Sequence, residues 1–367
     1  MHDRPASPLT FARDPHPAPV PASDRDGMLA DPGFGRVFTD HMAIVRYAEG
    51  RGWHDARIAP RGPIAMDPAT AVLHYAQEIF EGLKAYRTDD GGAALFRPEM
   101  NARRFNQSAA RMAMPPLPES LFLESLATLV EADRAWIPND ANGALYLRPF
   151  MFASEVFLGV KPSSEYLYLV IASSVGAYFK GGAPAVSLWV SEDYSRAAPG
   201  GTGAAKCGGN YAASLIAQAE AIRRGCDQVI FLDAAERRWI EELGGMNIFF
   251  VLDDGTMVTP PLGGTILPGI TRDSILTIAR DMGVAVREQR YALEQWRADS
   301  ESGRVREAFA CGTAAVVTPI GRVSGTAGSF TVGNGGPGVL TTTLRERLVA
   351  IQRGQAPDRH GWVHRLF

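Results

Sequence analysis

Apolar residues recur along the chain at both strand-like and helix-like spacings, and the two kinds of segment are mixed. Short apolar runs predict strands at Val37–Tyr47, Ala144–Phe152 and Tyr166–Ser173. Helices are predicted at Pro98–Met112, which opens with proline, and at Pro118–Trp136. Because strands and helices do not strictly alternate here, this half of the chain suits an α+β domain.

The second half continues the same mixture. Strands, helices and one hairpin are predicted, in chain order, at Ala185–Val190 (strand), Ala212–Arg224 (helix), Gln228–Leu232 (strand), Met246–Val258 (hairpin), Thr271–Met282 (helix), Val284–Gln289 (strand) and Thr341–Arg353 (helix). Two other segments are interpreted from their glycine content. Ala71–Ile79 is predicted to be a helix before the bend at Gly82, and the glycine-rich segment Gly325–Gly338 is predicted to be a surface loop.

These elements predict two domains in the 367 residues. Residues 1–33 are rich in Pro, Asp and Arg and are expected to form a mobile tail. Residues 34–174 would form a small N-terminal α+β domain, and 175–185 an interdomain linker rich in glycine. Residues 186–367 would form a large C-terminal domain.

Composition narrows the class of protein. Hydrophobic content of 46% and charged content of 21% are ordinary for a globular protein. A net charge of −3 gives no reason to expect nucleic acid or an anionic membrane as a partner. The tail lacks the apolar core of a signal peptide, and three scattered cysteines suit a cytoplasmic location. No CxxC pair or histidine cluster suggests a metal site.

Lys206 is the first candidate for chemistry. It lies in a glycine-rich turn, and Arg196 and Glu220 are the nearest charged residues on either side. Partial desolvation there would favour the neutral amine, which can attack a carbonyl and form a Schiff base. The alternatives are a flexible surface loop and a phosphate-binding P-loop. A P-loop needs Gly before the lysine and Ser or Thr after it, and this chain has Ala205 and Cys207.

A lysine imine becomes a versatile catalyst when a cofactor such as pyridoxal phosphate acts as an electron sink. Such a site needs an anion hole, and the predicted helix start at Thr271 could supply one. It also needs a carboxylate, for which Glu241 and Glu242 are both candidates. Only one of two adjacent strand residues should turn inward, which leaves that choice open. Tyr211 is the candidate phenol, and a buried Arg148 would need an acidic partner or a substrate carboxylate.

Together these segments resemble the branched-chain amino acid aminotransferases, of the fold-type IV group of pyridoxal phosphate enzymes. The similarity extends from about Phe38 to Arg353. The stretches that carry it are His74–Ala85, Asn101–Arg111, Leu145–Pro149, Gly201–Tyr211, Glu242–Asn247, Thr259–Leu262, Ile266–Arg272 and Gly312–Ala314. The resemblance implies a two-domain α+β and α/β architecture, like that of D-amino acid aminotransferase, with the cofactor between the domains.

The resemblance also implies a role for each matching cofactor residue. Lys206 would hold the cofactor as an internal aldimine and move the proton, Glu242 would pair with the pyridine nitrogen, and Tyr211 would bind the phenolic oxygen. The residues implied at the phosphate end are Arg104, Ile270, Thr271 and Thr313, with Arg196 in support.

The substrate residues follow in the same way. Tyr75, Phe80 and Tyr178 would line an apolar pocket. Arg148, and Lys84 beside it, would accept the distal carboxylate of glutamate. Tyr146, Thr313 and Ala314 would bind the substrate carboxylate.

The activity implied is a ping-pong exchange of the amino group between leucine, isoleucine or valine and 2-oxoglutarate. Family members are at least dimeric, so a homo-oligomer is expected. The alternatives are a D-amino acid transaminase, an aminodeoxychorismate lyase, a P-loop NTPase and a binding protein that has lost catalysis.

Overall fold

The structure is a computed structural model that describes residues 9–140, 143–176 and 185–367. The strands are β1 (Ala12–Arg13), β2 (Val37–Ala48), β3 (Gly52–Pro60), β4 (Glu78–Phe80), β5 (Leu83–Arg87), β6 (Ala93–Phe96), β7 (Ala144–Ala153), β8 (Glu165–Val175), β9 (Val186–Ser191), β10 (Gln228–Leu232), β11 (Ile240–Leu243), β12 (Asn247–Leu252), β13 (Met257–Thr259), β14 (Val286–Glu288), β15 (Val305–Gly312), β16 (Val316–Gly325), β17 (Gly328–Thr331) and β18 (Val363–Arg365). The helices are α1 (Ala22–Ala30), α2 (Val72–Tyr75), α3 (Pro98–Arg111), α4 (Glu119–Ala132), α5 (Gly208–Arg223), α6 (Ile270–Asp281), α7 (Leu293–Glu301) and α8 (Val339–Gln352).

The chain divides into two compact units. Unit 1 comprises Met1–Ala177 with Trp362–Phe367, and unit 2 comprises Tyr178–Gly361. Unit 1 contains one sheet in the order β1-β3-β2-β8-β7-β5-β6-β18, with β4 paired to β7. Its strand pairs are antiparallel except for β1 with β3. The rings of Phe105 on α3, Phe122 on α4 and Tyr168 on β8 lie about 5.5 to 6.3 Å apart and join both helices to the sheet.

Unit 2 contains a second sheet in the order β11-β10-β9-β16-β15-β12-β13-β14, with β17 paired to β16. The β9 strand runs parallel to both neighbours, β10 and β16, whereas β15 is antiparallel to β12 and β16. Phe250 lies 4.6 Å from the Tyr291 ring and 4.9 Å from the Trp296 ring in the core of this unit. This burial fixes the strands that end at the candidate site.

Four sequence predictions about local structure need correction. Only Val72–Tyr75 of the segment Ala71–Ile79 is helical, because Ala76 turns left-handed at φ 49° and the next residues pair with β7. The predicted loop Gly325–Gly338 contains β17, which pairs with β16. The final residues Trp362–Phe367 belong to unit 1, because β18 pairs with β6.

The predicted N-terminal tail is the fourth correction, because its described part has defined contacts. Ala12 pairs with Arg57 at the sheet edge, and the Val20 N–H donates to the Asp40 carboxylate at 3.0 Å. Most of the predicted linker, residues 177–184, lies outside the described residues. Within the described part of the chain, no helix has the length and hydropathy needed to cross a membrane.

Candidate active site

The glycine-rich lysine turn lies between β9 and the start of α5 in unit 2. Lys206 is partly buried, and its Nζ donates to the hydroxyl of Tyr211 at 2.8 Å. Asn210 ties the turn together, because its amide donates to the carbonyls of Thr202 and Ala205, both at 2.8 Å. The Thr202 hydroxyl donates back to Asn210 at 2.7 Å. The turn is therefore fixed by hydrogen bonds and holds an amine directly beside a phenol.

Glu242 lies on β11 with only 2% of its surface exposed. Its carboxylate pairs with the Arg196 guanidinium at 2.5 Å and accepts the Leu267 N–H at 2.9 Å. The Asn247 amide donates to the second oxygen at 3.3 Å. Burial raises the pKa of Glu242 to about 7, even though Arg196 acts in the opposite direction. This carboxylate can therefore change its charge near neutral pH.

Glu241 is also buried, which corrects the expectation that only one of the two glutamates turns inward. The alternation of the strand places the two carboxylates in different surroundings. Glu241 accepts a 2.5 Å hydrogen bond from the hydroxyl of Thr265, and burial raises its pKa. Glu242 is the one that shares its surroundings with Arg196 and Lys206.

Arg196 lies beside Glu242 rather than at the phosphate-binding end that the sequence analysis assigned to it. One nitrogen of its guanidinium donates to the carbonyls of Gly203 at 2.9 Å and Thr265 at 2.7 Å, and the same nitrogen pairs with Glu242. Only 6% of the residue is exposed. The structure therefore indicates that Arg196 balances the charge of Glu242, because a buried guanidinium is drawn to the nearest carboxylate.

The predicted anion-binding end is the N-terminus of α6. This helix begins at Ile270, and Gly269 precedes it with no side-chain cap. A Cβ at Gly269 would lie 2.0 Å from the Asn247 amide oxygen, so only glycine fits there. Backbone N–H groups at an uncapped helix start suit an anion such as phosphate. Thr271 occupies the second position of this helix, with 7% of its surface exposed.

Thr313 and Ala314 lie in the turn between β15 and β16. The preceding Gly312 is close to Met246, whose Cγ would lie 3.3 Å from an added Cβ. Val316, just after the turn, has a left-handed backbone at φ 62°, which is rare for a β-branched residue. The strands on either side hold this turn in a single conformation.

Unit 1 places Arg104 in a buried ion pair with Glu81. The Arg104 Nε and Nη2 donate to the two Glu81 oxygens at 2.7 and 2.8 Å. Glu81 also accepts the Asn101 amide at 2.7 Å and the Gly82 N–H at 3.1 Å. Arg104, the predicted phosphate ligand, is thus held in one orientation.

Three of the predicted substrate residues meet in unit 1. Arg148 lies 4.8 Å from the Phe80 ring centre and donates to the Tyr146 hydroxyl at 3.2 Å. A Cβ at Gly82 would lie 2.0 Å from that hydroxyl, so the bend requires glycine. Lys84 is the register partner of Tyr146 on the neighbouring strand.

The other two predicted pocket residues differ in what can be said of them. Tyr75 is 38% exposed, and its hydroxyl donates to the Leu158 carbonyl. Tyr178 lies outside the described residues.

Sequence reasoning assigned no role to Glu81, Asn247 or Thr265. Each is a polar residue that becomes almost fully buried, with exposures of 0%, 6% and 7%. A signal existed for Asn247, which opens the otherwise apolar run Ile248–Leu252. No local pattern could show that Thr265 lies against Glu241, because 24 residues separate them.

Comparison with known proteins identifies relatives along nearly the whole chain. The model of the family described as Amino-transferase class IV matches residues 78–323. The branched-chain-amino-acid aminotransferase of Mycobacterium tuberculosis strain H37Rv is 58% identical over 353 residues, which cover 94% of this chain and 96% of that protein. A probable branched-chain-amino-acid aminotransferase of Streptomyces coelicolor is 56% identical and covers 97% of this chain and 99% of that protein.

Solved structures show the same similarity. The Escherichia coli branched-chain amino acid aminotransferase superposes with a TM-score of 0.72 at 30% identity, covering 89% of this chain and 100% of that one. The branched-chain amino acid aminotransferase of T.th., solved with pyridoxamine 5'-phosphate, gives a TM-score of 0.73 at 29% identity, covering 89% and 99%. These findings confirm the predicted family and its fold.

Proposed function

Because the chain belongs to the class IV aminotransferases, in the branched-chain-amino-acid aminotransferase family, we propose the following reaction for it. The enzyme transfers the amino group of leucine, isoleucine or valine to 2-oxoglutarate, and the products are glutamate and the branched-chain 2-oxo acid. The observation that carries the proposal is the arrangement in unit 2. There a lysine amine contacts a phenol, and a buried carboxylate is paired with an arginine.

The cofactor is pyridoxal 5'-phosphate, and the residues present suit it. The α6 N-terminus has no side-chain cap, which leaves backbone N–H groups for a phosphate. Glu242 is a buried carboxylate able to pair with a protonated ring nitrogen, and Lys206 is the amine that would hold the aldehyde. When bound, the cofactor accepts the electrons released at the substrate Cα and carries the amino group between two half-reactions. The residues that we assign to its phosphate are Arg104, Ile270, Thr271 and Thr313.

The side chains of this chain would then perform the proton chemistry. Lys206 removes and returns the proton at the substrate Cα, for which its amine must be neutral. Tyr211 donates a hydrogen bond in the same place and keeps the amine oriented. Glu242, with Arg196 beside it, keeps its negative charge next to the ring nitrogen.

The substrate would be recognised by an apolar wall with a charge at its edge. Phe80 and Tyr75 provide apolar surface for a branched side chain, and we assign Tyr178 to the same wall. Arg148, which contacts both Phe80 and Tyr146, provides the cation for the distal carboxylate of glutamate, and Lys84 lies opposite Tyr146. Tyr146, Thr313 and Ala314 are assigned to the substrate carboxylate.

We also propose a homo-oligomer in the cytoplasm. Leu158 and Val160 are 62% and 89% exposed, which supports a neighbouring subunit that covers them. All three cysteines are buried and free, which supports a reducing compartment. Sedimentation that gives only monomer at working concentration would contradict the first of these proposals.

The first test is the visible absorption of the purified protein. Leucine should change the absorption band of the bound cofactor, and 2-oxoglutarate should restore it. Lys206→Ala should lose both the band and transamination while keeping its circular dichroism spectrum. Near-normal activity of Lys206→Ala would reject the assignment. A coloured protein that ignores leucine would move the substrate to a D-amino acid or to aminodeoxychorismate.

A further inference from the structure

Glu241 has no role in the proposed reaction, yet only 8% of its surface is exposed and it lies one residue from Glu242. One of its oxygens accepts the Thr265 hydroxyl at 2.5 Å. The other is buried and has no hydrogen-bond partner among the described residues. A buried carboxyl group in this state costs stability, so its presence next to the active site calls for a physical reason.

The side chain of Glu241 is directed away from Lys206. It lines a cavity of about 170 Å³ whose other walls include Asp233, Trp239 and Arg290. Neither Lys206 nor Tyr211 lines this cavity. Glu241 therefore reaches the site only through other residues.

Thr265 provides that connection. Its hydroxyl donates to Glu241, and its carbonyl accepts a 2.7 Å hydrogen bond from the guanidinium nitrogen of Arg196. The same nitrogen pairs with Glu242 at 2.5 Å. A continuous chain of contacts thus joins Glu241 to Glu242 through one threonine and one arginine. Gly203 packs against this chain, since its added Cβ would lie 2.4 Å from the Thr265 carbonyl.

We propose that Glu241 and Thr265 are positioning residues that set the charge of Glu242 from behind. Thr265 holds Arg196 against Glu242, and this contact favours the ionised carboxylate. Glu241 anchors Thr265 and at the same time places a second negative charge near Glu242, which opposes ionisation. The role of this pair in turnover rests on the proposed function, whereas its effect on the proton of Glu242 does not.

The charged and titratable groups around the two carboxyls are few. Arg196, Glu241, Lys206 and the buried thiol of Cys311 interact with Glu242, and Asp233, Arg290 and Arg196 interact with Glu241. Glu236 lines the same cavity as Glu241 and pairs with Arg290 at 3.6 Å. The effect of Arg196 on the pKa of Glu242 exceeds that of Glu241. Loss of the arginine contact should therefore dominate over a change at Glu241.

Two substitutions should consequently shift the Glu242 titration in opposite directions. Glu241→Gln keeps an acceptor for Thr265 but removes the like charge, so the pKa of Glu242 should fall. Thr265→Val removes the anchor of Arg196, so the pKa of Glu242 should rise, by about one unit. Thr265→Ser keeps the hydroxyl and should behave like the parent protein.

Thr259→Val is the matched control. Thr259 is a fully buried threonine of unit 2 whose hydroxyl donates to the Ile248 carbonyl at 2.7 Å, so its loss should cost stability without moving the titration.

The protonated carboxyl band of Glu242 can be followed by infrared difference spectroscopy of the cofactor-free protein, and it is identified by its loss in Glu242→Gln. The acid limb of the pH profile of kcat/KM for leucine should follow the infrared midpoint in each variant. Shifts of both variants in the same direction, or no shift in either, would overturn the proposal. Opposite infrared shifts without any turnover would reject the proposed function and keep this inference.

Discussion

The two units each bury a glutamate–arginine pair, and the two pairs are built differently. In unit 1, Arg104 uses two nitrogens to contact both oxygens of Glu81, which accepts two further N–H groups. In unit 2, Arg196 uses a single nitrogen for Glu242 and shares it with two backbone carbonyls. The Asn247 amide reaches Glu242 only at 3.3 Å.

This difference shows that the same ion pair can serve two purposes. A bidentate pair with every acceptor engaged fixes a guanidinium in one direction, which suits a residue that positions an anion. A pair with fewer donors leaves a carboxylate whose pKa lies at about 7, so that its charge responds to its surroundings. The first pair is an anchor, and the second is a group whose protonation matters.

The largest effect is expected from breaking the anchor. Glu81→Gln removes the charge that compensates Arg104 and leaves a buried guanidinium without its carboxylate. The free energy of unfolding should fall by roughly 3–5 kcal/mol, measured by urea denaturation. Glu165→Gln, at an exposed position of the same unit, should change it by less than about 0.5 kcal/mol. An equal, small change in both variants would mean that the pair contributes little.

Breaking the second pair should affect the reaction more than the fold. Glu242→Gln removes the negative charge beside the ring nitrogen, and we expect the activation barrier to rise by roughly 2–4 kcal/mol. Steady-state kcat for leucine, measured at saturating cofactor, checks this. An unchanged kcat, together with a large loss in Glu241→Gln, would show that Glu241 is the carboxylate that faces the ring.

The two pairs should also differ in their contribution to pH-dependent stability. The pKa of Glu242 is raised from 4.5 to about 7, so the folded state binds this proton more tightly than the unfolded chain does. Its contribution to stability is therefore full below the unfolded value and is lost as pH rises through the folded one. The loss amounts to about 3 kcal/mol at 1.36 kcal/mol per pKa unit.

Thermal unfolding of the cofactor-free protein checks the sign. The parent protein should lose stability relative to Glu242→Gln between about pH 4.5 and about pH 7. The opposite trend would mean that Arg196 outweighs burial.

A smaller effect should follow from crowding the residue that supports Glu242. The Cβ of Gly269→Ala would lie 2.0 Å from the Asn247 amide oxygen, so Asn247 must move away from Glu242 and from the Leu267 carbonyl. We expect a loss of about 1–3 kcal/mol in unfolding free energy and weaker cofactor binding. Gly263→Ala, where no atom lies within 4 Å, is the control. Equal behaviour of the two variants would contradict the crowding.

Much of the local structure could be predicted because it depends on short-range pattern. Helix α3 was expected from Pro98 onward, and β10 was predicted at its observed bounds, Gln228–Leu232. The segment after Ala76 was misassigned because its strand exists only through pairing with β7. The same holds for β18, whose partner β6 lies more than 260 residues away.

The candidate site was predictable to a similar extent. Motif order identified Lys206, Tyr211 and Glu242, and the contact between the first two was within reach because five residues separate them at the start of one helix. The partner of Arg196 was assigned wrongly, because nothing in the local sequence indicates which distant group a buried guanidinium meets.

The sequence by itself determined the kinds of element, the family and the residue types that can perform the chemistry, because these depend on side-chain identity and on short spacings. Only the tertiary structure decided how the charges are compensated. Glu81 saturates Arg104, Arg196 compensates Glu242, and Glu241 is buried behind Thr265. These pairings join residues from separate strands and loops, and burial makes each of them costly unless the fold brings the right partner into contact.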